Sequence, residues 1–130
     1  MARFALKAFL VWVAASFANL TTSGAGVAPS SGVASWYGEE HRGKLMANGR
    51  KFDPDKLTAA SWFYPLGAKV RVTLRSPSQP RRSVLVTITD RGPAVEHVRA
   101  GRIIDLSRAT FLRLAHPELG LAPVTVRAVR

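Results

Sequence analysis

Lys69-Val70-Arg71-Val72-Thr73-Leu74 is the stretch from which the fold class follows. Val70, Val72 and Leu74 fall on one side and Lys69, Arg71 and Thr73 on the other, the two-residue period of a half-buried strand. Downstream, Pro77 and Pro80 break the chain, and Arg81-Arg82 sits at the tip of a hairpin. The β-branched, apolar run Ser83 to Thr89 then reads as the returning strand, ending at Asp90. Upstream, Leu57-Thr58-Ala59-Ala60 reads as a short strand and Val33-Ala34-Ser35-Trp36-Tyr37 as another, ending at Gly38. Asn48-Gly49 between them is a tight-turn dipeptide. Toward the C-terminus, Ile103-Ile104-Asp105-Leu106 reads as a short buried strand, and residues 124–129 alternate again. One helix is expected: Ser107 is a good N-cap, Ala109, Leu112 and Ala115 follow at helical spacing, and His116-Pro117 stops it. Short strands with a single helix, in a chain without cysteine, predict a small closed β-barrel, because closure leaves no sheet edge to protect.

The chain has 130 residues, of which 47% are apolar, enough for one domain with a real core. The lack of cysteine excludes a disulfide scaffold, a thiolate metal site, a cysteine nucleophile and a lipidated cysteine. His41, His97 and His116 are too scattered to suggest a metal cage, so neither metal nor cofactor is expected. Residues 1–25 read as an export signal: Arg3 and Lys7 precede an uncharged, mostly apolar run over 8–18. Ser16-Phe17-Ala18 and Ser23-Gly24-Ala25 are alternative cleavage sites. Residues 26–31 read as a linker and 32–130 as the domain. The expected product is periplasmic or cell-wall associated, monomeric, not lipidated, and without a transmembrane anchor once the signal is removed. Lys plus Arg number 19 and Asp plus Glu 8, a net charge of +11. Such charge either solubilises the surface or attracts polyanions. For an exported protein those polyanions are cell-wall glycan, with its lactyl and peptide carboxylates, or anionic lipid surfaces, rather than nucleic acid.

Four stretches carry a resemblance. They are Gly32-Val33-Ala34-Ser35-Trp36-Tyr37-Gly38, then Ala47-Asn48-Gly49 with Phe52-Asp53, then Leu57-Thr58-Ala59-Ala60 with Pro65-Leu66-Gly67, and finally Asp90-Arg91-Gly92-Pro93 followed by Gly101-Arg102-Ile103-Ile104-Asp105-Leu106-Ser107. In this order they resemble the rare lipoprotein A (RlpA) family of bacterial cell-wall proteins. The resemblance implies a mainly β fold, a six-stranded double-psi β-barrel with one short helix. It also implies a lytic transglycosylase that cleaves peptidoglycan glycan strands lacking stem peptides and leaves 1,6-anhydro-N-acetylmuramic acid ends. The alternative is a non-catalytic, expansin-like module that grips cell-wall glycan.

Such a lyase needs an acid to protonate the leaving oxygen and a base to take the muramic 6-hydroxyl proton, and one residue can do both in turn. Asp90 is the catalytic candidate, at a strand end before a Gly-Pro turn; the resemblance also places it on the family's aspartate. The other reading of Asp90 is a turn former, or a carboxylate neutralised by Arg91. Two family positions differ. The Glu that follows the turn is Arg50 here, and the His that follows the Thr-Ala-Ala strand is Ser61. Glu39, Glu40 and His97 are candidate replacements. Tyr37, Arg50, Ser61, Trp62, Arg91 and Asp105 are the expected substrate-binding set. For Asp105 and Ser107 helix capping competes with that role, and Trp36 reads as core.

Overall fold

The computed structural model describes residues 30–76 and 81–129. The expected signal segment, its cleavage sites, and Pro77 and Pro80 lie outside these residues. Among them are six strands: β1 (Ser30–Tyr37), β2 (Thr58–Ala60), β3 (Lys69–Leu74), β4 (Ser83–Asp90), β5 (Arg102–Ser107) and β6 (Leu121–Val129). They close into a barrel in the order β1-β5-β2-β4-β3-β6. Two pairs are parallel, β1 with β5 and β2 with β4, and the other four are antiparallel. Exchanging β1–β3 with β4–β6 reproduces the same ring, the pseudo-two-fold connectivity of a double-psi barrel.

The alternation in β3 survives intact. Val70, Val72 and Leu74 are buried, while Lys69 and Arg71 are exposed. They meet Val84, Val86 and Ile88 of β4 and Val124 and Val126 of β6 in one core. Each fully buried Val or Ile contributes about 1.5–3 kcal/mol by leaving water, so a two-residue period suffices to orient every strand. Ser30 and Ser31, expected as linker, instead pair with Val126 and Thr125. The backbone of β6 needs partners along its whole length, so β1 extends further back than its apolar residues indicate.

Helix α2 (Arg108–Leu114) starts where Ser107 caps it, with the Ser107 side chain accepting from the Thr110 N–H. Phe111 and Leu114 close one side of the core. A further five-residue helix, α1 (Val95–Arg99), occupies the stretch between the Asp-Arg-Gly-Pro turn and β5. None of its residues is buried, so no apolar periodicity announced it. Among the described residues no helix is long and apolar enough to cross a membrane.

Candidate functional site

Thr58 and Ala59 of β2 pair with Thr87 and Ile88 of β4, but Ala60 pairs with Asp90, so Thr89 is an extra residue in β4. A regular ladder would set Thr89 opposite Ala60 and turn Asp90 toward the core. The bulge returns Asp90 to the outer face, as bulges beside functional sites commonly re-aim a side chain. On its other side Ala60 pairs with Asp105 of β5, and Asp105 pairs with Ser35 of β1. Asp90, Ala60, Asp105 and Ser35 therefore form one row across four strands, with the small Ala60 between two carboxyl groups. Gly92 lies above it: a Cβ there would stand 3.3 Å from Asp105 Oδ2 and 3.4 Å from the Ala60 Cβ.

The two carboxyl groups are held differently. Asp90 Oδ1 accepts from the Ala47 N–H at 2.9 Å and the Arg91 N–H at 2.8 Å. Asp105 accepts from the Ser35 hydroxyl. Burial raises the Asp105 carboxyl above the ordinary aspartate value, while the Ser35 hydrogen bond and the charges of Arg102, His97 and His41 pull the other way. Asp90 makes no ion pair among the described residues.

Tyr37, two residues beyond Ser35 on the same face of β1, lies half-buried beside this row. Its ring stacks on Phe52 at 4.3 Å and meets the edge of His41 at 5.5 Å. Its hydroxyl is buried without a hydrogen-bond partner. Burial raises its pKa, and the charges of Asp90 and Asp105 raise it further. Tyr37, one of the expected substrate-binding residues, thus places a phenol near both carboxyl groups.

Arg91 does not face Asp90 with its guanidinium. Its Nη1 donates to the carbonyls of Ser61 at 2.7 Å and Tyr64 at 2.6 Å. It clamps the loop after β2. Ser61 is fully buried; its hydroxyl donates to the Ile103 carbonyl and accepts from the Phe63 N–H. It is a turn-building residue, not a groove hydroxyl. The clamped loop turns Trp62 and Phe63 outward, 53% and 55% exposed, and the Trp62 indole donates to the Pro93 carbonyl at 2.6 Å. Two apolar rings so exposed, with one fixed by its polar tip, are suited to stacking on a flat ligand. Trp36, as expected, packs against the core, its indole N–H on the Pro117 carbonyl.

Arg50 stands just beyond the Asn48-Gly49 turn, where Gly49 has φ +84°. The Asn48 N–H docks this turn onto the Thr89 carbonyl. Arg50 lines a cavity of about 310 Å³ together with Asn48, Lys51, Lys56 and Thr89. A cation therefore borders the bulge that positions Asp90. The proposed substitutes for the missing carboxylate are engaged elsewhere. Glu39 joins an exposed network with Arg42, Arg108 and Asp55. Hydrogen bonds from Arg42 and Arg108 bring it down to about 2, so it stays charged and donates no proton. Glu40 is held below the ordinary range by its own backbone N–H and that of Gly38, with His41 adding to it. His97, on exposed α1, lies near enough to Asp105 for its charge to be felt there. Sequence reasoning missed the pairing of Ser35 with Asp105; the only signal was a polar residue at the third position of each strand stretch, Val33-Ala34-Ser35 and Ile103-Ile104-Asp105. Among the described residues no three His, Asp or Glu side chains are grouped to hold a metal ion.

A closed six-stranded double-psi barrel carrying this row matches a known family model, described as lytic transglycolase, over residues 29–126. The chain belongs to the RlpA family. It is 48% identical over 83 residues to the endolytic peptidoglycan transglycosylase RlpA of Yersinia pestis, covering 64% of this chain and 21% of that protein. The Pseudomonas aeruginosa protein of the same name is 40% identical over 98 residues, 75% of this chain and 27% of its own length. The chain thus spans about a quarter or less of these two RlpA proteins. Among solved structures, a Streptomyces papain inhibitor superposes with a TM-score of 0.59 at 24% identity, over 81% of this chain and 98% of that one. A Clavibacter michiganensis expansin solved with cellohexaose gives 0.56 at 21% identity, over 79% and 51%. These two likenesses concern the fold alone.

Proposed function

We propose that this RlpA-type domain grips peptidoglycan glycan strands without cleaving them. The strand passes over the exposed rings of Trp62 and Phe63, which serve as stacking surfaces for sugars, beside the Asp90 end of the row. The observation that carries this reading is the state of Asp90. Its Oδ1 is occupied by two backbone N–H groups, and the turn that bonds to it brings Arg50 where the family carries a Glu. A glycosidic cleavage ordinarily uses two carboxyl groups flanking the bond. Here the carboxylate from the turn is absent, and Glu39 is engaged in its ion-pair network. What remains suits holding: exposed aromatic faces, carboxyl acceptors for sugar hydroxyls, and surrounding Arg and Lys for the lactyl and peptide carboxylates of the wall.

One observation favours a second reading, the lytic transglycosylase. Asp105 supplies another carboxyl group in the same row, kept more readily protonated by its burial. In that reaction the muramic 6-hydroxyl attacks C1, its proton passes to a carboxylate, and a carboxylic acid protonates the departing O4. No water is consumed and a 1,6-anhydro ring forms. Asp90 would exchange both protons in turn, or share them with Asp105.

Sedimentation with sacculi stripped of stem peptides, followed by mass spectrometry of the soluble sugars, separates the readings. The binding module is expected to sediment, release no anhydro-ended fragments, and lose about tenfold in affinity on Trp62→Ala. Anhydro ends that disappear in Asp90→Asn would overturn it in favour of the lyase. Arg50→Glu, which restores the family's carboxylate, is expected to bring turnover above that of the parent.

A further inference from the structure

A second groove lies across the barrel from the row just described, over the outer face of β3 and β6. It encloses about 870 Å³ and is lined by Arg71, Arg75, Arg81 and Arg127. Arg71 sits directly opposite Arg127 in the antiparallel ladder, and Thr73 opposite Thr125. Directly opposed residues in such a pair have Cα atoms about 5 Å apart, and like charges so placed destabilise the sheet. Nothing nearby compensates: residues 56–89 and 119–130 contain no Asp or Glu. Among the described residues none of the four Arg pairs with a carboxylate. The acidic side chains lie on other elements: Glu39, Asp53 and Asp55 around Arg42, Asp90 and Asp105 in the row, Glu40 beside His41, Glu96 on α1 and Glu118 beside His116.

We propose that this groove binds an acidic peptide. Four guanidinium groups, each forking onto planar carboxylates, supply the charge complement. Pro123 gives the groove apolar contact for short aliphatic side chains, and Thr73 and Thr125 line it with hydroxyls for peptide amides. A concave groove seats an extended chain, whereas a bilayer presents a flat surface. Identifying the peptide as the stem of a cell-wall glycan rests on the function proposed above; the acidic-peptide site does not. In that setting the barrel holds a bare glycan strand on one side and a peptide-bearing strand on the other.

The test uses the purified protein and two probes, poly-L-glutamate in titration and sacculi with and without their stem peptides in sedimentation. Wild type is expected to bind poly-L-glutamate, and to prefer peptide-bearing over stripped sacculi. Arg71→Gln/Arg127→Gln is expected to weaken poly-L-glutamate binding about tenfold and to erase that preference, with binding to stripped sacculi unchanged. Arg75→Gln/Arg81→Gln, at the groove rim, is expected to act in the same direction. Unchanged poly-L-glutamate affinity in both variants overturns the proposal. Tighter binding of polyphosphate than of poly-L-glutamate, lost in the same variants, also overturns it by assigning the groove to a phosphate polymer. A wild type that ignores stripped sacculi but binds poly-L-glutamate through these Arg refutes only the glycan reading.

Discussion

The β2–β5 seam and the β3–β6 seam occupy opposite sides of the ring, and the pseudo-two-fold connectivity maps each onto itself. Their chemistry is opposite. The β2–β5 ladder has two residue pairs, Ala59 with Leu106 and Ala60 with Asp105. The β3–β6 ladder has six, from Lys69–Val129 to Leu74–Val124. A short seam ends early and lets the loops after β2 and β4 fold over it. Their backbone groups need partners, and Arg91, Ser61 and Asp90 provide them, so polar side chains become partly or wholly buried there. A long seam satisfies its own backbone and leaves its outward side chains free. At its centre those side chains are Arg71, Thr73, Thr125 and Arg127, and among the described residues neither Arg pairs with a carboxylate. The barrel therefore combines a pre-organised acidic row over a short ladder with a basic groove over a long one.

That contrast is broken most strongly at Arg91. Arg91→Leu removes two charge-assisted hydrogen bonds and leaves the Ser61 and Tyr64 carbonyls without them, a loss of about 2–3 kcal/mol in stability. Urea unfolding would measure it. Glycan binding at Trp62 is expected to fall as the loop loosens, while poly-L-glutamate binding on the far seam stays the same.

Asp105 offers a smaller and pH-dependent test. Its carboxyl is raised in the folded state by burial. A raised acid binds its proton more tightly when folded, so its stabilising contribution is complete below the unfolded value, about 3.9. It is lost as pH rises through the raised folded value. Asp105→Asn is therefore expected to raise the urea midpoint at pH 7 relative to wild type, with the gain vanishing near pH 3. A constant difference at all pH values would show that the carboxyl is not held in this way.

The smallest effect belongs to the basic seam. Arg71→Gln removes one member of the opposed Arg71–Arg127 pair and is expected to stabilise the fold by about 0.2–1 kcal/mol. The gain shows as a small rise in Tm at low ionic strength that added salt suppresses. The same substitution weakens acidic-peptide binding, so stability and binding move in opposite directions.

Much of this molecule is legible in the chain because its information is local. The period in Lys69–Leu74, the Ser107 cap and the Asn48-Gly49 turn each involve neighbours along the sequence, and each is found as expected. The four motif stretches bring Asp90 and Asp105 into consideration without any structure. What could not be read was where side chains go once strands from distant parts of the chain meet. Ser61 looks like any exposed serine until β5 supplies the Ile103 carbonyl. Arg91 is adjacent to Asp90 in sequence, yet turns its guanidinium to a loop 27 to 30 residues away. Glu39 and Glu40 read as spare carboxylates until Arg42, Arg108 and backbone N–H groups engage them.

Composition, alternation and turn chemistry by themselves determined that this protein is a small, basic, cysteine-free barrel with Asp90 at a strand end. They could do so because burial of alternate side chains is dictated by near neighbours. Only the tertiary structure decided that an extra residue at Thr89 turns Asp90 outward beside Asp105, and that Arg71 faces Arg127. Ladder register is a relation between segments tens of residues apart, set by how the closed barrel satisfies every backbone group at once.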